Sequence, residues 1–151
     1  MNYNINRFIE AHEKYYDTAL LEIKKGKKIN HWMWYIFPQL KGLGTSAMSE
    51  YYGIENLEEA KQYYNNELLH SHLIEICSEL LKHNTKIGDI LGYPDNYKLR
   101  SCITLFSIVD EENKIFKVIL EKFYDNSMDM STLTLLNENN KEVNKYLNKT
   151  V

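Results

Sequence analysis

Turn-forming residues and cysteine are scarce in this chain. Its 151 residues include only two prolines and six glycines, too few for the many turns of an all-β protein, so long helices are favoured. It also has only two cysteines, Cys77 and Cys102, in stretches whose apolar pattern predicts helix interiors. This disfavours a secreted disulfide scaffold. Free buried thiols and a single disulfide between the two both stay open.

Long apolar runs and an excess of positive charge are also missing. No stretch approaches the roughly 20 apolar residues that span a bilayer, and the first residues lack the apolar core of a signal peptide. We therefore expect a cytoplasmic protein with no membrane partner. Lys and Arg number 18 against 21 Asp and Glu, for a formal net charge of -3. Nucleic acid is disfavoured as a partner because its backbone attracts basic surfaces.

What the sequence does contain is helical periodicity. Apolar residues recur three and four positions apart from Ile5 to Ile23, with Tyr15 and Tyr16 among them, and this pattern is typical of one buried helix face. Gly26 is a suitable stop. Further helices are predicted over 46–52, 57–64, 67–82, 97–108, 115–123 and 131–136, with caps at Ser46 and Asn56. We predict an all-α fold, a compact multi-helical single domain over 1–151 with about seven to nine helices.

The most unusual segment is 31–39, which reads HWMWYIFPQ. It is apolar almost all round, which predicts a short helix that is buried on most sides and ended by Pro38. The loop that follows, 41–46, reads KGLGTS, and its glycines leave backbone N–H groups accessible. Two interpretations of this loop stay open, an ordinary turn with a helix cap and an anion-binding loop.

Candidate binding residues come from this segment and from a later helix. The segment contributes titratable, stacking and amide side chains: His31, Trp32, Trp34, Tyr35 and Gln39. A polar stripe on the helix over 97–108 consists of Lys98, Ser101 and Thr104. Aromatic rings stack on nucleobases and amides bind their polar edges, so we predict that these residues line one ligand pocket. The alternative is that both tryptophans are core anchors. We also expect some of the 12 tyrosines to line a groove.

Motifs for nucleophilic or metal chemistry are missing. The serines and cysteines show no nucleophile elbow, and no HExxH or paired-cysteine spacing occurs. His70 and His72 are two residues apart, which places them on different helix faces and makes them a poor pair of metal ligands. We therefore expect no metal and no cofactor.

Several of these motifs together resemble a known family. The segment 31–46, GYPD at 92–95, KLRS at 98–101 and TLF at 104–106 resemble the domain of unknown function 1810, over about residues 8–136. The resemblance implies a small, all-helical, mainly bacterial domain that is sometimes labelled calpastatin, and it implies no activity. Outside it, 137–151 is expected to be a polar carboxyl-terminal helix or tail. The chain departs from the family pattern at 66–67, 69–70 and 72, has Thr45 where members often carry arginine, and has Cys102 where they carry serine.

A more distant likeness concerns chemistry. The order of an aromatic segment, an alanine-containing helix and a late leucine-rich stretch is similar to the NADAR fold, whose members are N-glycosidases acting on ADP-ribose-type and riboflavin-pathway substrates. Glycosidic cleavage needs a carboxylate near an oxocarbenium-like state. The likeness therefore makes Asp95 and Asp129 the first acids to test.

Two functions follow from the residues and the resemblance together. The first is a pocket, lined by 31–39, that binds a nucleotide-like small molecule of the ADP-ribose or NAD-derived class, in a sequestering protein or an N-glycosidase. The second is a protein-interaction module without a small-molecule ligand, whose exposed aromatics dock a partner or a second copy of the chain. Homo-oligomerisation is left open, and single-stranded nucleic acid is disfavoured by the acidic charge balance.

Overall fold

The structure, a computed structural model, describes residues 2–139 and is built almost entirely from α-helices. The helices in this part of the chain are α1 (Asn6–Lys25), α2 (Met33–Ile36), α3 (Ala47–Tyr52), α4 (Leu57–Asn65), α5 (Glu67–Leu80), α6 (Ile87–Leu91), α7 (Asp95–Val109), α8 (Ile115–Tyr124) and α9 (Met130–Asn139). The predicted all-α fold and the predicted range of helix number are confirmed. Of the predicted tail over 137–151, residues 140–151 lie outside the described part.

Helix α1 follows the periodicity of its sequence. Phe8, Ala19 and Ile23 are fully buried, and the helix ends at Gly26, whose φ of 84° is in the left-handed region that favours glycine. The prediction that Tyr15 belongs to the buried face is wrong, because its side chain is 47% exposed. Tyr15 and Tyr16 are adjacent, so a helical step of about 100° turns only one of them towards the core.

Polar side chains cap the starts of α3, α4 and α5. Ser46 Oγ accepts a hydrogen bond from the Ser49 N–H at 3.1 Å, which begins α3. Asn56 Oδ1 accepts one from the Glu59 N–H at 3.0 Å, which begins α4. Both predicted caps are confirmed. Asn66 caps α5 in the same way, and each cap satisfies an N–H that has no partner within its own helix.

Helix α7 lies at the centre of the core. It contacts α4, α6, α8 and α9 as well as α2, and its residues are buried without interruption over 101–107. Cys102 of α7 and Cys77 of α5 are both buried and free, so the disulfide alternative does not form. Burial raises the pKa of both thiols, which makes them poor nucleophiles. Nowhere in residues 2–139 is there a helix with the length and apolarity needed to cross a membrane.

One helix was missed by the prediction, and the bounds of two others differ from it. Helix α6 was not predicted, since five residues are too few to establish a periodic pattern. Helix α7 begins at Asp95 rather than at 97, because Pro94 is tolerated next to a helix start and an acidic first turn is favourable. Helix α9 runs over Met130–Asn139 and not only to 136.

A buried carboxylate joins α1 to the aromatic segment. Oε1 of Glu22 accepts hydrogen bonds from the Ile29 N–H (2.7 Å), the Asn30 N–H (2.9 Å) and Trp32 Nε1 (2.9 Å). Oε2 accepts another from Asn30 Nδ2 at 2.6 Å. Burial alone would raise the pKa of Glu22, but these hydrogen bonds outweigh it and hold the pKa below its usual value. Glu22, near the end of α1, therefore fixes the position in space of the first residues of the aromatic segment.

Replacing Glu22 with glutamine is expected to lower the free energy of unfolding by roughly 1–3 kcal/mol, because hydrogen bonds to a charged acceptor are weakened or lost. Urea unfolding at neutral pH measures the change. The pKa of this carboxylate is lowered in the fold, so its stabilising contribution is present above the usual pKa of 4.5 and is lost as pH falls through the lowered value. The stability of the variant should therefore vary less over that acidic range.

The matched control is Glu13→Gln, because Glu13 lies on the exposed side of the same helix. We expect this control to unfold at nearly the parent concentration of urea. Equal destabilisation by the two substitutions would show that the Glu22 hydrogen bonds do not stabilise the fold.

Candidate functional site

A groove lies between α1, residues 30–35 and α3. Its volume is about 640 Å³, within the range of small-molecule sites. We call it the tyrosine groove, and its lining residues are Arg7, Glu10, Ala11, Lys14, Tyr15, Thr18, Asn30, His31, Trp32, Tyr35, Met48, Tyr51 and Tyr52. Another cavity, of about 540 Å³, lies between Leu40, the start of α4 and the middle of α9, and none of the predicted binding residues lines it.

Four tyrosine rings form a continuous aromatic surface in this groove. The Tyr15 and Tyr35 ring centres are 5.6 Å apart, those of Tyr35 and Tyr52 are 5.1 Å apart, and those of Tyr51 and Tyr52 are 4.8 Å apart. The two outer rings are accessible, with Tyr15 47% and Tyr51 56% exposed, while Tyr35 is buried. Burial raises the pKa of Tyr35 to about 12, and it raises that of Tyr52 as well. The groove thus offers ring faces for stacking and protonated phenols for hydrogen bonding.

The charges of the groove nearly cancel. Arg7 is buried, and its guanidinium donates to Glu59 at 2.8 Å, to the Tyr51 carbonyl at 2.9 Å and to the Gly53 carbonyl at 3.1 Å. Because these contacts occupy Arg7, its role is to hold α1, α3 and α4 together. The exposed Lys14 and Glu10 supply one charge of each sign. The groove therefore favours a ligand that binds mainly through flat, uncharged surface.

His12 holds the backbone carbonyl of Tyr35, and His72 is in turn hydrogen-bonded to His12. His12 Nε2 lies 2.7 Å from this oxygen and must carry the proton, since a carbonyl only accepts. In the neutral ring, His12 Nδ1 is then the acceptor for His72 Nδ1, which lies 2.9 Å away. Burial lowers the pKa of His12 to about 4, against the opposing effect of the Tyr35 hydrogen bond. Tyr63 also donates to the same carbonyl, at 3.3 Å.

Only some of the predicted binding residues meet in the tyrosine groove. His31, Trp32 and Tyr35 line it. His31 is exposed there, whereas Trp32 is 1% exposed and its indole N–H is already bonded to Glu22. Trp32 is thus mainly a core anchor that also borders the groove, in agreement with the alternative interpretation given for Trp32.

Three other predicted residues meet elsewhere, in a small cleft that Tyr52 separates from the groove. Trp34, Gln39 and Lys98 line this cleft, and Lys98 Nζ lies 5.9 Å from the centre of the Trp34 ring. The cleft has a volume of only about 10 Å³. We call it the indole cleft. It brings the aromatic segment and α7 together as predicted, but in a space too small for a nucleobase.

Ser101 and Thr104 face neither opening. Ser101 Oγ donates to the Tyr97 carbonyl at 3.3 Å, and Thr104 Oγ1 accepts from the Asp129 N–H at 2.9 Å. Both side chains are buried because α7 is covered on several sides. Their polarity is therefore used within the fold, and neither lines the tyrosine groove or the indole cleft.

The two acids selected from the NADAR likeness, Asp95 and Asp129, are also engaged in contacts within the fold. Asp95 Oδ2 pairs with Lys28 Nζ at 2.9 Å. Asp129 begins α9 by accepting from the Thr132 N–H at 2.9 Å and from its hydroxyl at 2.6 Å, and it lies 3.8 Å from Arg100. Neither aspartate lines the tyrosine groove.

Groove residues outside the 31–39 segment escaped residue-by-residue prediction. The abundance of tyrosine pointed to a groove, but periodicity assigned Tyr15 to the core and gave Glu10, Lys14 and Tyr51 no role. A side chain that is exposed where two helices meet has no characteristic spacing in the sequence, so periodicity does not identify it. Within residues 2–139 no group of three or more His, Cys, Asp and Glu side chains is arranged to hold a metal.

Comparisons with known proteins agree with this architecture. A family model described as "Protein of unknown function (DUF1810)" matches residues 2–136. The chain belongs to the DUF1810 family. The resemblance carried by the aromatic segment and the GYPD turn is thereby confirmed.

Among solved structures, this DUF1810 protein is similar to the conserved hypothetical protein Rv1873 from Mycobacterium tuberculosis. The TM-score is 0.86 and the identity 38%, with 88% of this chain and 96% of that chain covered. No curated protein matches the chain. Neither the family nor the mycobacterial protein is described by a ligand or a reaction, so the NADAR likeness stays a prediction.

His12 is expected to titrate near pH 4 in the folded protein and near its usual value of 6.5 after unfolding in urea. Since the unfolded chain binds this proton more readily, the free energy of unfolding should fall as pH drops from 6.5 towards 4. NMR titration of the His12 ring gives the folded value. His12→Gln keeps a donor for the Tyr35 carbonyl and should flatten this part of the stability profile. A folded pKa at or above 6.5 would contradict the buried neutral ring.

Proposed function

We propose that this protein binds a nucleotide-like small molecule of the ADP-ribose or NAD-derived class in the tyrosine groove. The observation that carries the proposal is the pair of exposed rings, Tyr15 and Tyr51, at the two ends of a concave aromatic surface. Each exposed ring is in contact with a more buried one, Tyr35 or Tyr52. The surface is therefore organised before a ligand arrives, which lowers the cost of binding.

The shape and polarity of the groove fit a base and its sugar. Its volume of about 640 Å³ accommodates a ligand of nucleoside size. His31 and the side-chain oxygen of Asn30 add hydrogen-bonding groups at one wall, since the Asn30 nitrogens are bonded to Glu22. No ion pair engages the Lys14 ammonium within residues 2–139. Lys14 is thus available to a phosphate, while stacking supplies most of the affinity.

Sequestration without chemistry is the form of the proposal that the residues support best. Asp95 and Asp129 are engaged outside the groove, so neither acts on a sugar bound there. The carboxylate on the groove wall is Glu10, whose Oε1 accepts a hydrogen bond from Asn6 at 3.1 Å. Any N-glycosidic cleavage in this groove would depend on Glu10, and Glu10→Gln would abolish cleavage while leaving the stacking surface intact.

The test is a binding screen followed by substitution of one ring. NAD, ADP-ribose, cyclic ADP-ribose isomers and flavin precursors are screened by thermal shift, and hits are measured by calorimetry. Tyr51→Ala is expected to weaken binding of a hit by roughly tenfold or more, since stacking on an aromatic side chain contributes about 1–3 kcal/mol per base. Tyr93→Ala is the matched control, because Tyr93 is 82% exposed and does not line the groove.

Two further outcomes distinguish the alternatives. Recovery of the unmodified ligand from the complex indicates sequestration, whereas release of the free base indicates an N-glycosidase. If no compound binds, or if Tyr51→Ala and Tyr93→Ala weaken binding equally, the proposal is wrong. The protein-interaction module would then be favoured, because the exposed Tyr15, Met48 and Tyr51 would suit a protein partner.

A further inference from the structure

The indole cleft lies on the far side of Tyr52 from the tyrosine groove. Five of its lining residues carry a polar or charged group, namely Trp34, Gln39, Ser49, Tyr52 and Lys98. Its volume of about 10 Å³ is close to the space that the centre of a single water-sized probe needs. The cleft therefore has room for one oxygen atom and not for a ring.

Within residues 2–139, the indole N–H of Trp34 lacks a hydrogen-bond acceptor. Its Nε1 is buried and has no hydrogen-bond partner in the described residues. An indole nitrogen only donates, and a buried donor left unsatisfied costs about 1–3 kcal/mol. Trp32 shows the satisfied case, since its Nε1 donates to Glu22 at 2.9 Å. An acceptor at Trp34 would remove this cost.

The charge beside Trp34 is positive. Lys28 and Lys98 share the single carboxylate of Asp95, with N–O distances of 2.9 Å and 4.0 Å. Two positive charges and one negative charge leave one positive charge in this group. Because Asp95 is closer to Lys28, the uncompensated charge lies mainly on Lys98, whose side chain is 26% exposed. An acceptor in the cleft is thus favoured further if it is an anion.

The opposite wall, which includes Ser49 and Gly53, is closely packed. A Cβ atom at Gly44 would lie 2.5 Å from Ser49 Oγ, and one at Gly53 would lie 2.7 Å from Lys41 Cα, so larger residues would displace this wall. Ser49 Oγ accepts a hydrogen bond from Ser46 Oγ at 3.0 Å. This contact leaves the Ser49 hydroxyl proton to be donated elsewhere.

We propose that the indole cleft is a second binding site, which takes one oxygen of a carboxylate or phosphate group. The oxygen would accept a hydrogen bond from Trp34 Nε1, and Lys98 would balance its charge. The site is independent of the tyrosine groove, because it is too small for a base. Water would satisfy the indole equally but would gain nothing from the charge of Lys98, and this difference can be tested.

The test uses the two tryptophan indole N–H signals in a proton–nitrogen NMR correlation spectrum of the full chain. Acetate and inorganic phosphate are titrated separately at constant ionic strength, with chloride as the balancing anion. We expect the Trp34 signal to shift saturably with at least one of them and the Trp32 signal to stay in place. Saturation by acetate alone assigns the site to carboxylates, and saturation by phosphate alone assigns it to phosphates. Saturation by both shows that the site binds an anionic oxygen of either group.

Lys98→Met tests the charge while keeping most of the side-chain stem. It is expected to weaken anion binding by roughly tenfold, the scale of one charge-assisted contact. Lys27→Met is the matched control, since Lys27 is exposed and does not line the cleft. An unchanged Trp32 signal in each variant reports an intact fold.

Two results would overturn the second site. One is the absence of a saturable Trp34 shift with either anion, which would mean that water alone occupies the cleft. The other is undiminished anion binding by Lys98→Met. Failure of the groove screen would leave both readouts unaffected, because neither depends on a nucleotide.

Discussion

The hydrogen bonds accepted by Glu22 fix the position of the aromatic segment against α1. They hold the Asn30 backbone and the Trp32 indole against α1, so Trp32 enters the core. Trp34, two positions further along a short helix, then points towards Lys98. The Tyr35 carbonyl meets His12, and its ring enters the groove. With the segment fixed by this carboxylate, Trp32 lies in the core, Trp34 lines the cleft and Tyr35 lines the groove.

Two ion pairs near these openings hold the fold together. Arg7 pairs with Glu59 and Lys28 with Asp95, each at low exposure. Breaking such a buried pair leaves an uncompensated charge, which is costly, so these residues are not free to bind ligands. Apart from Glu10, Lys14 and Lys98, the lining of the groove and the cleft is rich in aromatic rings. Under the function proposed above, stacking of the base would therefore contribute more to binding than contacts with the phosphates.

Local features of the fold were predictable from sequence, and the site was predictable only in part. Ser46 and Asn56 cap helices as expected because a cap depends on residues three positions away. His31, Trp32 and Tyr35 do line an opening, but Trp34 and Gln39 from the same segment line another one. The pairing of His12 with His72 joins residues 60 positions apart, and no periodicity indicates such a contact.

The sequence by itself determined the all-α class, the helix caps, the family and the unusual aromatic segment, because these depend on residue type and short spacing. Only the tertiary structure decided which residues meet. It placed Trp34, Gln39 and Lys98 in one cleft and put His31 and Tyr35 in a groove across Tyr52 from it. It also buried Ser101 and Thr104. The physical reason is that α7 is covered by helices from distant parts of the chain, so the exposure of its polar stripe depends on packing rather than on its own sequence.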